Sequence, residues 1–154
     1  MLSNVTSEEW GYIAGLIDGE GSISITRGIR KDRPKPYERT YAKLNIYSCS
    51  EVLMGWLKCK VGGNVYRTAL RNPLWKDGLN WTASPSLSCD ILEACLPMLV
   101  IKRRQAELFV EFFSTSTLAT SGRRSGVAYS VLQRREEMYT EWRALNKRGR
   151  EANA

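Results

Sequence analysis

The stretch that decides the fold is WGYIAGLIDGEGSI, residues 10–23. Small residues recur in it at helical spacing, with Gly11 and Gly15 four positions apart. One face of a helix built from these residues therefore carries almost no side chain. A glycine inside a helix costs about 0.5–1 kcal/mol relative to alanine. We expect a second backbone to pack closely against this bare face.

The same stretch has helix start and stop signals. Thr6 and Glu9 have the spacing of a capping box, and Gly19 and Gly21 mark the end. Glu20 then lies beside the last carbonyls, where the helix dipole disfavours a carboxylate by about 0.3–1 kcal/mol unless a cation is present. Carboxylate and carbonyl oxygens are ligands that Mg²⁺ and Ca²⁺ prefer. These residues alone leave two interpretations of Glu20 open, a metal ligand and a solvated acid.

Composition narrows the possible chemistry. The net charge is +7 with a pI near 9.4, and histidine is absent. The positive charge favours a nucleic acid or another polyanion as partner. The absence of histidine excludes Ser-His-Asp triads, Cys-His pairs and histidine-ligated zinc. An enzyme of this composition would rely on carboxylates, lysines and a metal ion, which is the chemistry of phosphodiester hydrolysis.

The chain predicts a single intracellular domain. Its 154 residues suit one domain over 1–154, with a core over about 5–115 and a C-terminal helix over about 127–146. No apolar run is long enough to span a membrane, and the N-terminus does not resemble a signal peptide. The four cysteines lack CxxC spacing and are interpreted as reduced thiols. We expect the cytoplasm of a prokaryote or an organelle compartment, without secretion and without a membrane partner.

Two strands are predicted directly after the opening helix. Residues 22–27 and 41–48 alternate polar and apolar side chains, so each strand buries one face. The outer positions carry Ser, Thr, Tyr, Lys and Asn, which can contact base edges and phosphates. A two-stranded ribbon also fits the major groove of DNA. A merely solvated polar face is the alternative that the sequence leaves open.

The rest of the chain divides at turn residues into further elements. Apolar spacing and cap residues predict a helix over 51–60 capped by Ser50, strands over 64–70 and 78–83, a helix from Ser84 or Ser86 to about 96, a helix from about 100, a loop over 114–126 and a last helix over 127–146. Trp75, in the turn between the last two strands, is either exposed at a contact or folded back on the sheet. The order α-β-β-α-β-β-α, followed by further helices, predicts an α+β fold with an antiparallel, saddle-shaped sheet.

Three cations, Lys102, Arg103 and Arg104, occur at the predicted start of the fourth helix. Cations at a helix N-terminus oppose the helix dipole. The sequence supports two interpretations of them. They either serve an anion brought from outside the protein or form a solvated charge run.

The nine residues IAGLIDGEG, 13–21, closely resemble the motif that names the LAGLIDADG homing endonucleases. Residues 10–12 and 22–23 on either side also suit this family, and the predicted element order matches its core. The resemblance therefore covers most of the chain. It implies the single-motif, homodimeric class, because the chain has one motif and about half the length of two-motif members.

The resemblance implies an activity and a cofactor. The protein would be a site-specific double-strand DNA endonuclease of intron homing, with no small-molecule substrate. It would bind a long pseudo-palindromic duplex as a homodimer and hydrolyse both strands with Mg²⁺, with Mn²⁺ or Ca²⁺ able to occupy the same site. Glu20 would bind the metal, with the backbone oxygen of Gly19 as a further ligand. Lys102 would stabilise charge on the phosphate or position the water, and Ser50 would act through a bridging water.

The resemblance also implies two contact surfaces. The motif helix would pack against a second copy of itself through Gly11, Ala14, Gly15 and Asp18. The outer face of the strands would contact DNA through Ser24, Thr26, Arg30, Tyr41, Lys43, Asn45, Tyr47, Tyr66, Thr68, Asn80 and Thr82.

Two residues depart from the family pattern. The last acid of the motif is usually Asp, whereas Glu20 reaches one methylene further. A position that often holds Gln falls, counting from Leu44, on the shorter Ser50. The second hypothesis is therefore a non-cleaving nucleic-acid-binding protein of the same fold, either an intron RNA splicing cofactor or a DNA-binding regulator. A third hypothesis is a structural domain whose basic face is incidental.

Overall fold

The structure is a computed structural model that describes most of the chain. The described residues are 2–30, 37–68, 77–121 and 129–147. Within these ranges the backbone alone is described at 27–30, 37–41, 116–121 and 129. No helix in the described part of the chain has the length and apolar content to cross a membrane.

Helices and strands follow each other in the predicted order. In chain order they are a 3-10 turn at Leu2–Asn4, α1 (Ser7–Glu20), β1 (Gly21–Arg30), β2 (Tyr37–Ser48), α2 (Glu51–Val61), β3 (Asn64–Thr68), β4 (Gly78–Thr82), α3 (Pro85–Cys95), α4 (Arg103–Ser121) and α5 (Tyr129–Leu145). The predicted α-β-β-α-β-β-α order is confirmed, and α4 and α5 extend it.

The four strands form one antiparallel sheet in the order β1-β2-β4-β3. The inner face of this sheet is apolar, with Leu44, Ile46 and Trp81 almost completely buried. The core continues from this face into the helices through α1, α3 and α4. The predicted α+β class with an antiparallel sheet is confirmed.

A buried serine joins α3 to the sheet. Ser88 Oγ accepts a hydrogen bond from Leu44 N at 3.0 Å and donates one to Ala83 O at 3.3 Å. Its hydroxyl group therefore satisfies two backbone groups that the sheet leaves unpaired. α3 begins at the cap that the sequence placed at Ser84 or Ser86, and the structure selects Ser84, whose Oγ accepts from Leu87 N.

Both boundaries of α4 differ from those predicted. α4 begins at Arg103, so Lys102 lies in the turn before the helix. α4 also continues to Ser121, which makes the predicted loop helical over 114–121. Ser114 and Thr115 remain in the helix because their hydroxyls donate to carbonyls three residues earlier. The rest of that predicted loop, 122–128, lies outside the described residues, as does Trp75.

Candidate active site and nucleic-acid interface

α1 begins at the predicted capping box. Thr6 N donates to Glu9 Oε2 at 2.9 Å, and Glu9 N donates to Thr6 Oγ1 at 3.3 Å. Lys60, from α2, forms an ion pair with the same Glu9 carboxylate at 2.5 Å. These contacts fix the N-terminal end of the helix with groups close to it in sequence and one cation from α2.

The glycines of α1 lie on an exposed face. A Cβ added at Gly15 or Gly19 would meet nothing within 4 Å, and one at Gly11 would only reach Met98 Sδ at 4.0 Å. Ala14, by contrast, is 1% exposed and packs inside the protomer, so its predicted place on the contact surface is corrected. The open face of the helix therefore consists of the three glycines at four-residue spacing.

The change from α1 to β1 is direct, because β1 starts at the residue after Glu20. Gly21 N donates to the carbonyls of Ile17 and Leu16. A Cβ at Gly21 would lie 2.5 Å from Ile17 O, so only glycine fits this close approach. The backbone next to Glu20 consequently has little conformational freedom, while the Glu20 side chain is exposed.

Asp18 and Lys102 connect the end of α1 to the turn before α4. The two carboxylate oxygens of Asp18 accept from Val100 N and Lys102 N, both at 2.8 Å. In the opposite direction, Lys102 Nζ donates to Ile17 O at 2.8 Å, Asp18 O at 2.9 Å and Gly21 O at 2.7 Å. The carbonyls at the end of α1, which the sequence left for a metal, thus receive an internal ammonium group.

The pKa values of this pair reflect the same contacts. Burial raises the pKa of Asp18, but the backbone N–H groups of Val100, Lys102 and Ile101 outweigh it, so the pKa lies below its usual value. Burial lowers the pKa of Lys102, although the carboxylates of Asp18 and Glu20 act in the opposite direction. Asp18 is accordingly a stable anion at neutral pH.

A polar cavity of about 360 Å³ opens beside Glu20. It is lined by Gly19, Glu20, Gly21, Ser22, Ile23, Lys102, Gln105 and Asn146. Gln105 Nε2 donates to Asn146 Oδ1 at 3.2 Å, and Asn146 Nδ2 donates to Trp142 O at 2.8 Å. Gln105 and Asn146 could not be predicted from the sequence, since nothing near either residue indicates that α4 and the residue after α5 meet the motif.

Polar residues form rows across the outer face of the sheet. The strand register places Ser22, Asn45, Thr82 and Asn64 in one row and Tyr47, Asn80 and Tyr66 in the next. The register also pairs Ser24 with Lys43 and Thr26 with Tyr41, and it places Arg30 opposite Tyr37 and Thr68 opposite Gly78. All eleven predicted contact residues therefore occupy positions of this one face; for Arg30 and Tyr41 only the backbone position is described.

Two amides on this face have an acceptor without a partner. Asn45 Oδ1 and Asn80 Oδ1 are buried and accept no hydrogen bond from the described part of the chain. Tyr47 also lies close over the backbone of Gly78, where a Cβ would collide with the Tyr47 hydroxyl. Buried polar atoms normally have a partner, so these acceptors indicate a face that is completed by another molecule or by water.

Solved structures provide the comparison with known proteins. A scan of family models finds no match, and neither does a search of curated proteins. The homing endonuclease I-CvuI in complex with a DNA target has a TM-score of 0.70 at 18% identity, over 93% of this chain and 85% of its own. The archaeal intron-encoded homing endonuclease I-Vdi141I complexed with DNA has a TM-score of 0.71 at 18% identity, over 92% of this chain and 86% of its own. The I-SmaMI LAGLIDADG homing endonuclease bound to cleaved DNA has a TM-score of 0.61 at 14% identity, over 94% of this chain and 45% of its own.

The chain has the LAGLIDADG homing endonuclease fold. This chain spans most of I-CvuI and I-Vdi141I but less than half of I-SmaMI. The same fold thus occurs both as nearly a whole chain and as part of a longer chain. At these sequence identities the likeness concerns the fold.

Ser50 does not share the Glu20 cavity of this LAGLIDADG fold. Its Oγ caps α2 by accepting from Leu53 N at 3.2 Å. It lines a different groove of about 570 Å³ between α1 and α2, together with Glu8, Glu9, Tyr12, Val52, Leu53 and Trp56. The structure therefore brings Glu20, Gly19 and Lys102 together and leaves Ser50 in another groove.

The two arginines after Lys102 are paired inside the fold. Arg104 contacts Glu141 of α5 at 2.6 Å and Glu107 at 3.2 Å, and Arg103 lies 3.7 Å from Glu107. Since Lys102 faces α1, each of the three cations has an internal carboxylate or carbonyl partner. These internal partners account for the three cations within the fold, and their service to an anion brought from outside stays a prediction.

Within one protomer, the oxygen ligands at the cavity meet the needs of a divalent metal only in part. Glu20 offers an exposed carboxylate beside the Gly19 backbone, which is the oxygen chemistry that Mg²⁺ and Ca²⁺ prefer. Asp18 is already bound by two backbone N–H groups. The described residues contain no group of three or more His, Cys, Asp or Glu side chains suited to a metal. A complete site would therefore take further oxygens from DNA, from water or from a second protomer.

Proposed function

We propose that the protein is a site-specific DNA endonuclease that acts as a homodimer and depends on a divalent metal. The observation that carries the proposal is the position of Ser22. This residue lines the Glu20 cavity and also belongs to the first polar row of the sheet, opposite Asn45. A duplex lying along the outer face would bring its backbone to the carboxylate.

Glu20 and the carbonyl of Gly19 would hold Mg²⁺, for which Mn²⁺ or Ca²⁺ could substitute. The bound metal would lower the pKa of a water molecule and stabilise charge on the phosphate. Solved structures of I-CvuI with DNA include one at 2 mM Mg, in which the DNA is not cleaved, and one at 2 mM Ca. In the present chain, the Gln105–Asn146 pair offers amide groups to water or phosphate on the far wall of the cavity.

The polar rows would contact bases and phosphates along the groove. Lys43, Tyr47 and Tyr66 are exposed there, and the unpaired amide acceptors of Asn45 and Asn80 could take hydrogen bonds from base donors. Ser24, Thr26, Arg30, Tyr41, Thr68 and Thr82 would complete the contact surface. The net charge of +7 supports this partner. A role in homing, in a prokaryote or an organelle, would follow from this activity.

The homodimer rests on the exposed glycine face and on Glu20 being the one carboxylate among the described residues that line the cavity. Gly15→Leu would place a branched side chain on that face without touching the core. We expect wild-type protein to sediment as a dimer and Gly15→Leu to shift to monomer, with Lys147→Leu, two residues after the end of α5, as an exposed control. Monomeric wild type, or a Gly15→Leu dimer of unchanged stability, contradicts the proposed interface.

Selection from a randomised duplex pool tests the activity. Wild-type protein with Mg²⁺ is expected to enrich cleaved duplexes that share a long, partly palindromic site. Glu20→Gln is expected to retain the same duplexes without cutting them. Cleavage that survives in Glu20→Gln contradicts the assigned site.

A non-cleaving nucleic-acid-binding protein of this fold is the second candidate. The observation that favours it is Lys102, whose ammonium group is bound to backbone carbonyls. Under this function the selection would yield duplexes that are bound and uncut by the wild type. A salt-independent association, or none, would instead favour a structural domain, because phosphate contacts weaken steeply as salt rises.

A further inference from the structure

We propose that Lys102 is a positioning residue that, together with Asp18, clamps the backbone beneath Glu20. An ammonium group has three N–H donors. Nζ of Lys102 makes three hydrogen bonds, to Ile17 O, Asp18 O and Gly21 O, at 2.7–2.9 Å. Every donor is therefore in use inside the protein, and a phosphate could gain one only if a helix-end carbonyl lost it.

The clamp is reciprocal. The Asp18 side chain holds the backbone of the turn before α4, at Val100 and Lys102, while the Lys102 side chain holds the backbone of α1. The five hydrogen bonds join residues 81–85 positions apart. Two peptide segments that lack regular pairing with each other are thus fixed in one relative position.

The clamp also explains how a carboxylate is tolerated at the end of α1. The last carbonyls of a helix have no partner within it, and the dipole there is negative. The ammonium group of Lys102 satisfies carbonyls at this end and supplies the missing positive charge. The positive charge that Glu20 needs at this helix end is consequently present within the protein.

Glu20 lies between two anchored residues. Asp18 O and Gly21 O both accept from Lys102, and Gly21 N is bonded back to Ile17 O. A metal ligand works best when the surrounding groups hold its orientation. The clamp therefore sets the direction in which Glu20 enters the cavity, and this last step alone rests on the proposed function.

Amide hydrogen exchange of the DNA-free protein tests the clamp without reference to function. Lys102→Met keeps the length of the side chain and removes all three donors. We expect the amides of Gly21 and Val100 to exchange about tenfold faster or more, since hydrogen bonds to charged groups are the strong ones. Lys60→Met is the matched control, because Lys60 also pairs with α1 but at Glu9. Unchanged exchange at Gly21 in Lys102→Met overturns the clamp.

A second variant covers the case in which Lys102→Met does not fold. The planar guanidinium of Lys102→Arg cannot meet three converging carbonyls as an ammonium group does. We expect the Gly21 amide to exchange faster than in the wild type, by less than the tenfold expected for Lys102→Met. Exchange in Lys102→Arg as slow as in wild type also overturns the proposal.

Mn²⁺ binding, measured by paramagnetic broadening of the Ser22 amide, tests the effect on Glu20. Removing a nearby cation would by charge alone strengthen metal binding. The clamp predicts the opposite, about 10–100-fold weaker binding in Lys102→Met, and tighter binding contradicts it. If the wild type in complex with a selected duplex binds no Mn²⁺, the proposed function fails, whereas the exchange result still decides the clamp.

Discussion

The two ends of α1 are held by different kinds of contact. At the N-terminal end, Thr6 and Glu9 bond each other three residues apart, and Lys60 adds one ion pair. At the C-terminal end, the side chains of Asp18 and Lys102 make five hydrogen bonds to backbone groups 81–85 positions away. One end is closed mainly by its own sequence, and the other requires the fold.

The difference coincides with the location of the candidate site. The N-terminal end carries no residue of the Glu20 cavity, whereas residues 19–23 form one wall of it. A helix end held by local bonds can fray without moving the rest of the molecule. The end that presents Glu20 is tied to α4, and through Arg104 and Glu141 α4 is tied to α5. This arrangement suits a carboxylate whose direction matters.

Substitution of Glu20 has the largest expected effect. Glu20→Gln should lower single-turnover cleavage of a selected duplex by about 10³-fold or more, because charge stabilisation by a metal is worth several kcal/mol. Glu20→Asp should retain cleavage within about tenfold, since it keeps the charge and the ligand atoms. Equal losses in the two variants would show that charge is not what the site requires. Duplex binding by both variants, measured in Ca²⁺, is the control.

Asp18→Asn should lower stability at the clamped end. One of the two backbone N–H groups then faces an amide NH₂ instead of a carboxylate oxygen, which costs about 1–3 kcal/mol. Urea denaturation measures the free energy of unfolding, and Asp90→Asn, on an exposed position of α3, is the control. A loss no greater than that of the control would show that the clamp contributes nothing to stability.

Thr6→Ala tests the other end. Loss of an N-cap hydroxyl costs about 1 kcal/mol, so the unfolding free energy should fall by this amount while cleavage stays unchanged. Ser7→Ala, one residue inside the helix, serves as the comparison. A change in cleavage by Thr6→Ala would show that the two ends are coupled.

Glu9 gives the smallest expected effect, and it depends on pH. The hydrogen bond from Lys60, followed by that from Thr6 N, lowers the pKa of Glu9. A lowered folded-state pKa contributes stability above the unfolded pKa and loses it as the pH falls through the folded pKa. The difference in unfolding free energy between wild type and Glu9→Gln should therefore shrink from about pH 7 to about pH 3. A constant difference would assign no role to the charge, and exposed pairs contribute little in any case.

Local chemistry explains which features could be predicted from the sequence. The capping box, the caps at Ser50 and Ser84 and the alternation of the strands depend on residues a few positions apart. The alternation of polar and apolar residues alone predicted which strand positions form the outer face of the sheet. These features use spacings of two to four residues, which the sequence displays directly.

Features that depend on packing were missed or misread. Ala14 lies between exposed glycines in the sequence, yet its side chain packs into the core. Arg104 pairs with Glu141 of α5, and a separation of 37 positions hides this partner from the sequence. Lys102 donates to carbonyls 81–85 positions earlier, a contact that no local pattern displays, and its role at a phosphate stays a prediction. Gln105 and Asn146 likewise reach the cavity only through the tertiary fold.

The Mg²⁺ dependence of double-strand cleavage tests the central claim most directly. A selected duplex is incubated with wild-type protein over a series of Mg²⁺ concentrations and, in parallel, with EDTA. The account predicts that both strands are cut, that the rate rises with Mg²⁺, and that EDTA stops cleavage while binding persists. Tight binding without cleavage at every Mg²⁺ and Mn²⁺ concentration, or cleavage that EDTA does not affect, would contradict it.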